Sequence, residues 1–485
     1  MIAKDFKNDI VLVLPPPGWQ KTLPIGLGFC AAYLKKNEFS SVIYDVSVEM
    51  GKVVQKDDYD YLWGLKAKNI WLDNAIFDMF VKKYDNAIQG CVDHMLSFKS
   101  QIIGFSVIHP KQLITLELIR RIKNRDSSIT IIAGGPACFY DEDRRMLEQS
   151  RIIDLFVLGE GEKTLCEVIN CIKTNKKLDN VAGIRCVNSD YKDYLPREAI
   201  EDLDCLPFPV YPGLDFDDYR ANPVPLFWSR GCFGNCSFCE IKNVWNSYRI
   251  RSAENIYEEI KFYVEQKGAV CFSVFDSLMN GRPEILEKVC DYIIQHRYKI
   301  SWNGNIVSLP QMSERIYSKM KMAGCEVVYF GLETGSDHIL RKMKKPFTLR
   351  EAQRNIRLAH EAGIETSVNF ITGFPGEGEC HFQQTIDFVR LNSFWIDKVD
   401  FITECQVARG TDLFNHPDRY EIIVPHDWQG YKWYTRRGDN TIRMRQERTA
   451  RLGKFLKLSD IQINTDFNLE DGSECIRDSV KNKLK

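Results

Sequence analysis

Three cysteines stand within eight residues, Cys232, Cys236 and Cys239, in the run Trp228-Ser229-Arg230-Gly231-Cys232-Phe233-Gly234-Asn235-Cys236-Ser237-Phe238-Cys239. The spacing is C-x3-C-x2-C. Thiolate sulfur is a soft ligand that suits an iron–sulfur cluster or zinc. A structural zinc site takes four protein ligands, and its cysteines usually come as two separated pairs. Here three donors share one loop, with no matching Cys or His pair just beyond. A 4Fe–4S cube held by three thiolates keeps one iron without a protein ligand, and such an iron can take a chelating molecule from outside. Gly231, Gly234 and Ser237 are small enough to let the loop wrap a cube and turn backbone N–H groups to its sulfurs. A zinc knob, or three unrelated thiols, is the competing account. Of the 16 cysteines, others such as Cys30, Cys166, Cys171, Cys271 and Cys290 lie in apolar stretches and read as small buried hydrophobes.

The elements around this loop alternate between strand and helix. Upstream of residue 225 the sequence predicts a first α/β unit over residues 1–175. Its strands fall at Asp9–Leu14, Ser41–Asp45, Gln101–Ser106, Ile129–Ala133 and Leu155–Leu158, with helices at Leu27–Lys36 and Leu113–Lys123 and an irregular, partly helical insertion over 51–99. Residues 176–224 read as a connector with short strands at Val181–Val187 and the Pro-rich run Leu206-Pro207-Phe208-Pro209. Over residues 225–410 the alternation resumes, with strands at Leu226–Ser229, Cys271–Phe275, Ile300–Asn303, Glu326–Phe330, Glu365–Ile371 and Val399–Gln406. Such regular spacing predicts an α/β barrel, open or closed, with its site at the strand C-termini. Residues 411–485 are more polar and rich in Tyr, Trp and Arg.

The bulk composition excludes several classes. The 485 residues are too many for one ordinary domain, and 65 basic against 66 acidic residues give a net charge of −1. That balance argues against nucleic acid or an anionic membrane as the main partner. The first residues are polar and lead straight into a strand, and no run of about 18 apolar residues occurs. The expectation is a cytoplasmic chain with reduced thiols and no integral membrane segment.

The three-cysteine loop resembles the signature of the radical S-adenosylmethionine (SAM) superfamily. Other segments, in order over 225–412, extend the resemblance. Arg249-Ile250-Arg251-Ser252-Ala253-Glu254 resembles the element that opens the family's first barrel helix. Phe275-Asp276 resembles the acidic end of its second strand, Gly331-Leu332-Glu333-Thr334-Gly335-Ser336 its fourth-strand motif, and Ile371-Thr372-Gly373-Phe374-Pro375-Gly376-Glu377 the turn after the fifth. Arg409-Gly410-Thr411 resembles a closing Pro-Gly-Thr, with Arg in place of Pro. The resemblance implies that Cys232, Cys236 and Cys239 hold a 4Fe–4S cluster and that Asp276 and Glu333 contact the cationic amino group of SAM. Either acid could instead be an ordinary helix cap or salt-bridge partner.

The front unit resembles the cobalamin-binding domain that precedes the barrel in many radical enzymes, of the class B radical methyltransferase kind. Pro24-Ile25-Gly26-Leu27-Gly28-Phe29-Cys30 looks like its first loop and helix. Gly104-Phe105-Ser106-Val107-Ile108 and Gly134-Gly135-Pro136, 25 residues further on, look like its serine and paired-glycine elements. The resemblance gives Ser106 a bond to the nucleotide base and lets Gly134 and Gly135 admit the cofactor tail. The first loop, Pro15–Ile25, has no histidine to ligate cobalt. His109 could be a lower ligand, but a capping or surface histidine fits the same position, and a flavodoxin-like scaffold without cobalamin is the competing account of the whole unit.

The fold class implied is α/β: a Rossmann-like parallel sheet of cobalamin-binding type, a partial (β/α)6 radical SAM barrel and a small C-terminal α-rich segment. In that segment, Trp428–Arg437 reads equally as a lid over substrate or a hydrophobic cap. Arg436, Arg437, Arg443 and Arg445 read as a solvated charged face or as ligands of an anionic substrate. The function implied is methylation of an unactivated carbon of a small molecule, through a 5′-deoxyadenosyl radical and methylcobalamin, with an electron donor such as flavodoxin or ferredoxin. A radical cyclase or ring-contracting enzyme, and a non-enzymatic cobalamin or cluster sensor, are the alternatives.

Overall fold

The computed structural model describes residues 7–17, 22–55, 58, 62–63, 71–187, 194–219, 223–426, 430–459 and 461–463. These residues form two compact units, one within 1–201 and 205–222, the other within 202–204 and 223–470.

The first unit is a six-stranded sheet built from β1 (Ile10–Leu14), β2 (Ser41–Asp45), β3 (Ile102–Ser106), β4 (Thr130–Gly134), β5 (Leu155–Val157) and β6 (Ile184–Cys186), in the order β2-β1-β3-β4-β5-β6. Its first five strands pair in parallel and β6 closes the edge antiparallel to β5. The stretch read as a connector thus supplies an edge strand. β1 is the unbroken aliphatic run Ile-Val-Leu-Val-Leu, with Ile10 to Val13 fully buried, as a strand covered by helices on both faces requires. Among its described residues, the insertion over 51–99 includes the helices Asn74–Lys83 and Asp85–Ser97. Asp73 caps the first by accepting from Ala75 N–H and Ile76 N–H, and Ile76, Phe77 and Phe80 are buried on one face. The strand order reverses between β1 and β3, the place where open α/β sheets take ligands.

The second unit adds parallel strands in chain order. β7 (Val224–Leu226) leads into a short ribbon, β8 (Ser229–Arg230) against β9 (Arg249–Ile250), followed by β10 (Cys271–Val274), β11 (Ser301–Ile306), β12 (Cys325–Glu333) and β13 (Glu365–Thr372). Beyond them come β14 (Lys398–Val399) and β15 (Ile402–Glu404), then a hairpin of β16 (Ile422–Ile423) and β17 (Tyr434–Thr435), and finally β18 (Gln462–Ile463). The main sheet runs β7-β10-β11-β12-β13-β14-β18, with β15 also on β13. Helices lie between successive strands, among them Ala253–Lys267, Pro283–Gln295, Glu314–Met322, Leu349–Glu361 and Glu379–Asn392. A sheet that never reverses its order curls into part of a barrel. Burial alternates along β11: Trp302, Gly304 and Ile306 are buried, while Asn303 and Asn305 lie on the more open face. The sixth predicted strand is split at Asp400 and Phe401, because Asn369 Oδ1 accepts the Phe401 N–H at 3.0 Å and Asp400 takes the Ser367 hydroxyl at 2.7 Å.

The fold is α/β in both units, as the spacing predicts. Of the cysteines read as small buried hydrophobes, Cys290 is buried, Cys30, Cys166 and Cys171 are only half-buried, and Cys271 is exposed because it opens β10. Among the described residues no helix is long and apolar enough to cross a membrane.

Candidate active site

The ribbon of β8 and β9 pinches off a loop of residues 231–248, and all three cysteines lie on it. Arg230 and Arg249 are paired across the ribbon, and their guanidinium carbons stand 5.2 and 5.8 Å from the Trp245 ring centre. This closes the neck of the loop by cation–π contact. Below the neck, Asp276 follows the end of β10 and is wholly buried. Its carboxylate accepts the Trp228 N–H at 2.8 Å and the Ser229 hydroxyl at 2.5 Å. Burial pushes its pKa up to about 7 against those hydrogen bonds. Both oxygens thereby tie β10 to the strand that launches the loop.

Within the loop the small residues have distinct tasks. Gly231 has φ +84°, and a Cβ there would collide with the Ser247 carbonyl. The Gly234 N–H donates to Cys232 Sγ at 3.3 Å. A Cβ on Gly234 would lie 3.3 Å from Cys232 Sγ and 3.8 Å from Cys236 Sγ, so two of the sulfurs flank this one glycine. The Ser237 N–H donates to Met343 O at 2.9 Å, and the Leu413 N–H donates to Ser237 O at 3.0 Å, which fastens the far half of the loop to its neighbours.

Burial raises the Cys236 thiol to about 11, with the positive charge of Lys345 pulling the other way, and burial also raises Cys239. A metal that replaces the proton reverses that preference. Among the described residues no group of three or more His, Cys, Asp or Glu side chains converges where a single ion could sit. A cube binds each thiolate to a different iron, so its ligands need no common point. The backbone N–H on sulfur and the glycines that leave room beside the thiols fit a cluster of that kind.

Glu333 ends β12 in the left-handed region, φ +71°, where the pairing of β12 with β13 shifts register. A side chain held there costs on the order of 1 kcal/mol. Gly331 makes the arrangement possible: a Cβ on it would lie 2.7 Å from Glu333 Oε1 and 3.4 Å from Lys345 Nζ. Lys345 donates to Glu333 Oε1 at 3.1 Å and its ammonium stands 5.9 Å from the Phe238 ring and 5.2 Å from the Phe347 ring. Burial alone would depress the Lys345 ammonium, but Glu333 and the Cys236 thiol outweigh it and its pKa is raised. The cysteine loop and the Gly-x-Glu strand end therefore share one buried cation.

The remaining motif residues are architectural. Gly335 lies so close to the helix Glu379–Asn392 that a Cβ would stand 2.6 Å from Thr385 Cα. Glu377 accepts the Gly373 N–H at 2.6 Å and pairs with Arg448, and burial raises it to about 7. Arg445, expected on a solvated face or against a substrate anion, is instead fully buried. It lies over Gly373, with its guanidinium 3.9 Å from the Trp433 ring and donating to the Tyr431 and Trp433 carbonyls. Trp433 is buried among Ile339, Met343, Phe374, Cys405 and Leu413, a hydrophobic cap in part of the segment read as lid or cap. Trp428 and Gln429 lie outside the described residues. Arg436, Arg437 and Arg443 are exposed, the first two paired with Asp418 and Glu421.

In the first unit, Ser106 and Gly134 are register partners at the carboxyl ends of β3 and β4. Gly135 follows with φ +97°, and a Cβ there would lie 2.8 Å from Val107 O. The three predicted residues thus come together on one accessible sheet edge. His109 is exposed, 3.0 Å from Gln112 through Nδ1. Lys111 beside it is buried, donates to Pro15 O at 2.7 Å, and is depressed by burial to about 8, with Asp45 opposing. It was not singled out because a lysine after a strand ordinarily faces water.

Residues 226–389 match the family model of the Radical SAM superfamily. This stretch is a radical SAM domain. Over 371 residues the chain is 26% identical to an uncharacterized methyltransferase of Pyrococcus horikoshii, covering 76% of this chain and 79% of that protein. It is 23% identical over 451 residues to the cytidylyl-2-hydroxyethylphosphonate methyltransferase of Streptomyces wedmorensis, covering 84% and 80%. Among solved structures it resembles TsrM of Kitasatospora setae, a radical S-adenosylmethionine methyltransferase solved with cobalamin and a 4Fe–4S cluster. The TM-score is 0.64 at 17% identity, over 83% of this chain and 73% of that one. At that identity the likeness is one of fold. The matched stretch spans the cysteine loop, Asp276, Glu333 and Lys345, and ends inside the helix Glu379–Asn392. Lys345 is the residue of this domain that motif reading missed. The signal was Gly331, whose absent side chain makes room for an ion pair.

Proposed function

We propose that the protein is a cobalamin-dependent radical SAM enzyme that methylates an unactivated carbon of a small-molecule substrate. The observation that carries the reading is the pinched-off loop that bears all three cysteines, with the Gly234 N–H on Cys232 Sγ and a glycine in place of a side chain beside the Cys232 and Cys236 sulfurs. The fold likeness to TsrM and the methyltransferase relatives support it. When bound, a 4Fe–4S cluster with one open iron would supply the electron that splits SAM, and cobalamin would carry the methyl group, a pairing that a carbon without nucleophilic electrons requires.

Cys232, Cys236 and Cys239 would hold the cluster. Glu333 would orient the cationic amino group of SAM, and its strained backbone keeps that carboxylate at the strand end. Asp276, expected to contact the same amino group, is wholly buried with both oxygens engaged by Trp228 and Ser229, and its part is to hold the launching strand in place. Ser106, Gly134 and Gly135 would receive the cobalamin tail on the first unit, a cobalamin-binding domain ahead of the barrel. An electron donor such as flavodoxin or ferredoxin, and a reducing cytoplasm, complete the requirements.

The test is anaerobic turnover of protein reconstituted with iron, sulfide and cobalamin, under dithionite. The expected products are 5′-deoxyadenosine and, once a methylatable substrate is present, S-adenosylhomocysteine; Cys236→Ala should form no 5′-deoxyadenosine. Deoxyadenosine with no S-adenosylhomocysteine in substrate turnover would point to cyclisation or rearrangement. No deoxyadenosine from the unmutated protein would leave a sensor.

A further inference from the structure

Lys345 is a buried ammonium held between the two parts of the radical SAM domain that matter most. Its side chain is 7% exposed. It reaches Glu333 Oε1 at 3.1 Å on one side and lies over the Phe238 ring of the cluster loop, at 5.9 Å, on the other. Phe238 itself stands between Cys236 and Cys239 in the chain. Burying an ammonium is unfavourable unless its surroundings are negative. Glu333 provides one negative charge, and the rings of Phe238 and Phe347 turn electron-rich faces toward it. A single salt bridge on a strand end could have been built at the surface. Here β12 instead gives up a side chain at Gly331 and takes a left-handed residue at Glu333, and the pair lies inside with the ammonium over the Phe238 ring of the cysteine loop.

We propose that Lys345 is a positioning residue that sets the electron affinity of the cluster held by Cys232, Cys236 and Cys239, with Glu333 as the counter-charge that moderates it. The inference rests on the cluster reading above. Reduction by an external donor adds one electron and one negative charge to the site. A fixed cation nearby stabilises that state and raises the midpoint potential; a fixed anion lowers it. In a dry setting the effect is larger than at a surface.

The experiment is a redox titration of the whole reconstituted protein, without SAM, followed by the EPR signal of the reduced cluster, with iron and sulfide counted per chain. Lys345→Met removes the charge and keeps the length. Its midpoint should move to a more negative value at unchanged iron content, while Lys345→Arg stays near the unmutated protein. Glu333→Gln should move the midpoint in the opposite direction. That variant also keeps the test open if Lys345→Met fails to assemble. Midpoints that ignore both substitutions, or that move the same way in both, overturn the inference while the cluster reading stands. An unmutated protein with no cluster signal overturns the reading itself.

Discussion

Gly231 and Asp276 show how much of the site depends on single residues. Gly231 turns the chain at φ +84° with the Ser247 carbonyl against it. Gly231→Ala should cost on the order of 1–2 kcal/mol from the backbone alone and more from the collision, and it should lower iron per chain several-fold in anaerobically purified protein. Asp276 is buried and its pKa is raised to about 7. In the unfolded chain an aspartate titrates near about 3.9. The folded state therefore binds this proton more tightly, and between about pH 4 and about pH 7 the residue lowers stability as pH rises, by at most about 1.4 kcal/mol per pH unit. Asp276→Asn keeps an acceptor for the Trp228 N–H and has no proton to lose. Its melting temperature should fall less than that of the unmutated protein between pH 5 and pH 8. An equal fall in both would show that the carboxyl is not held neutral by burial.

At the scale of elements, the strand ends carry both candidate sites. β3 and β4 bring Ser106, Gly134 and Gly135 to one edge. Gly135→Ala, pressed against Val107 O, should weaken cobalamin binding at least tenfold, read from the absorbance of cobalamin that stays with the protein after gel filtration. The alternation of strand and helix was legible in the sequence because buried parallel strands are continuous aliphatic runs, as in Ile10–Leu14, and because Ser and Thr caps mark helix starts. The split of the sixth barrel strand was not legible. It depends on Asn369 and Ser367 reaching across from β13, contacts that no local pattern encodes. The same holds for Lys345 and Arg445. Both are charged residues in polar-looking stretches, and only the tertiary fold shows that a glycine on another element, Gly331 or Gly373, has left a place for each. The cysteine loop was the reverse case, since its chemistry resides in spacing alone.

In the whole molecule, the two candidate cofactor sites lie in separate compact units, Ser106, Gly134 and Gly135 in one and the cysteine loop in the other. Each unit has its own sheet and its own core. Loading of one should therefore be separable from loading of the other. A chain with Cys232, Cys236 and Cys239 all changed to Ala should retain cobalamin and lose iron, and Gly135→Ala should retain iron and lose cobalamin. The account depends most on the open iron. Mössbauer spectroscopy of anaerobically reconstituted, iron-57-labelled protein, before and after addition of SAM, tests it directly. The predicted result is a 4Fe–4S spectrum in which one iron site changes when SAM is added. A spectrum that does not respond to SAM, or a protein that carries zinc in place of iron, would contradict it.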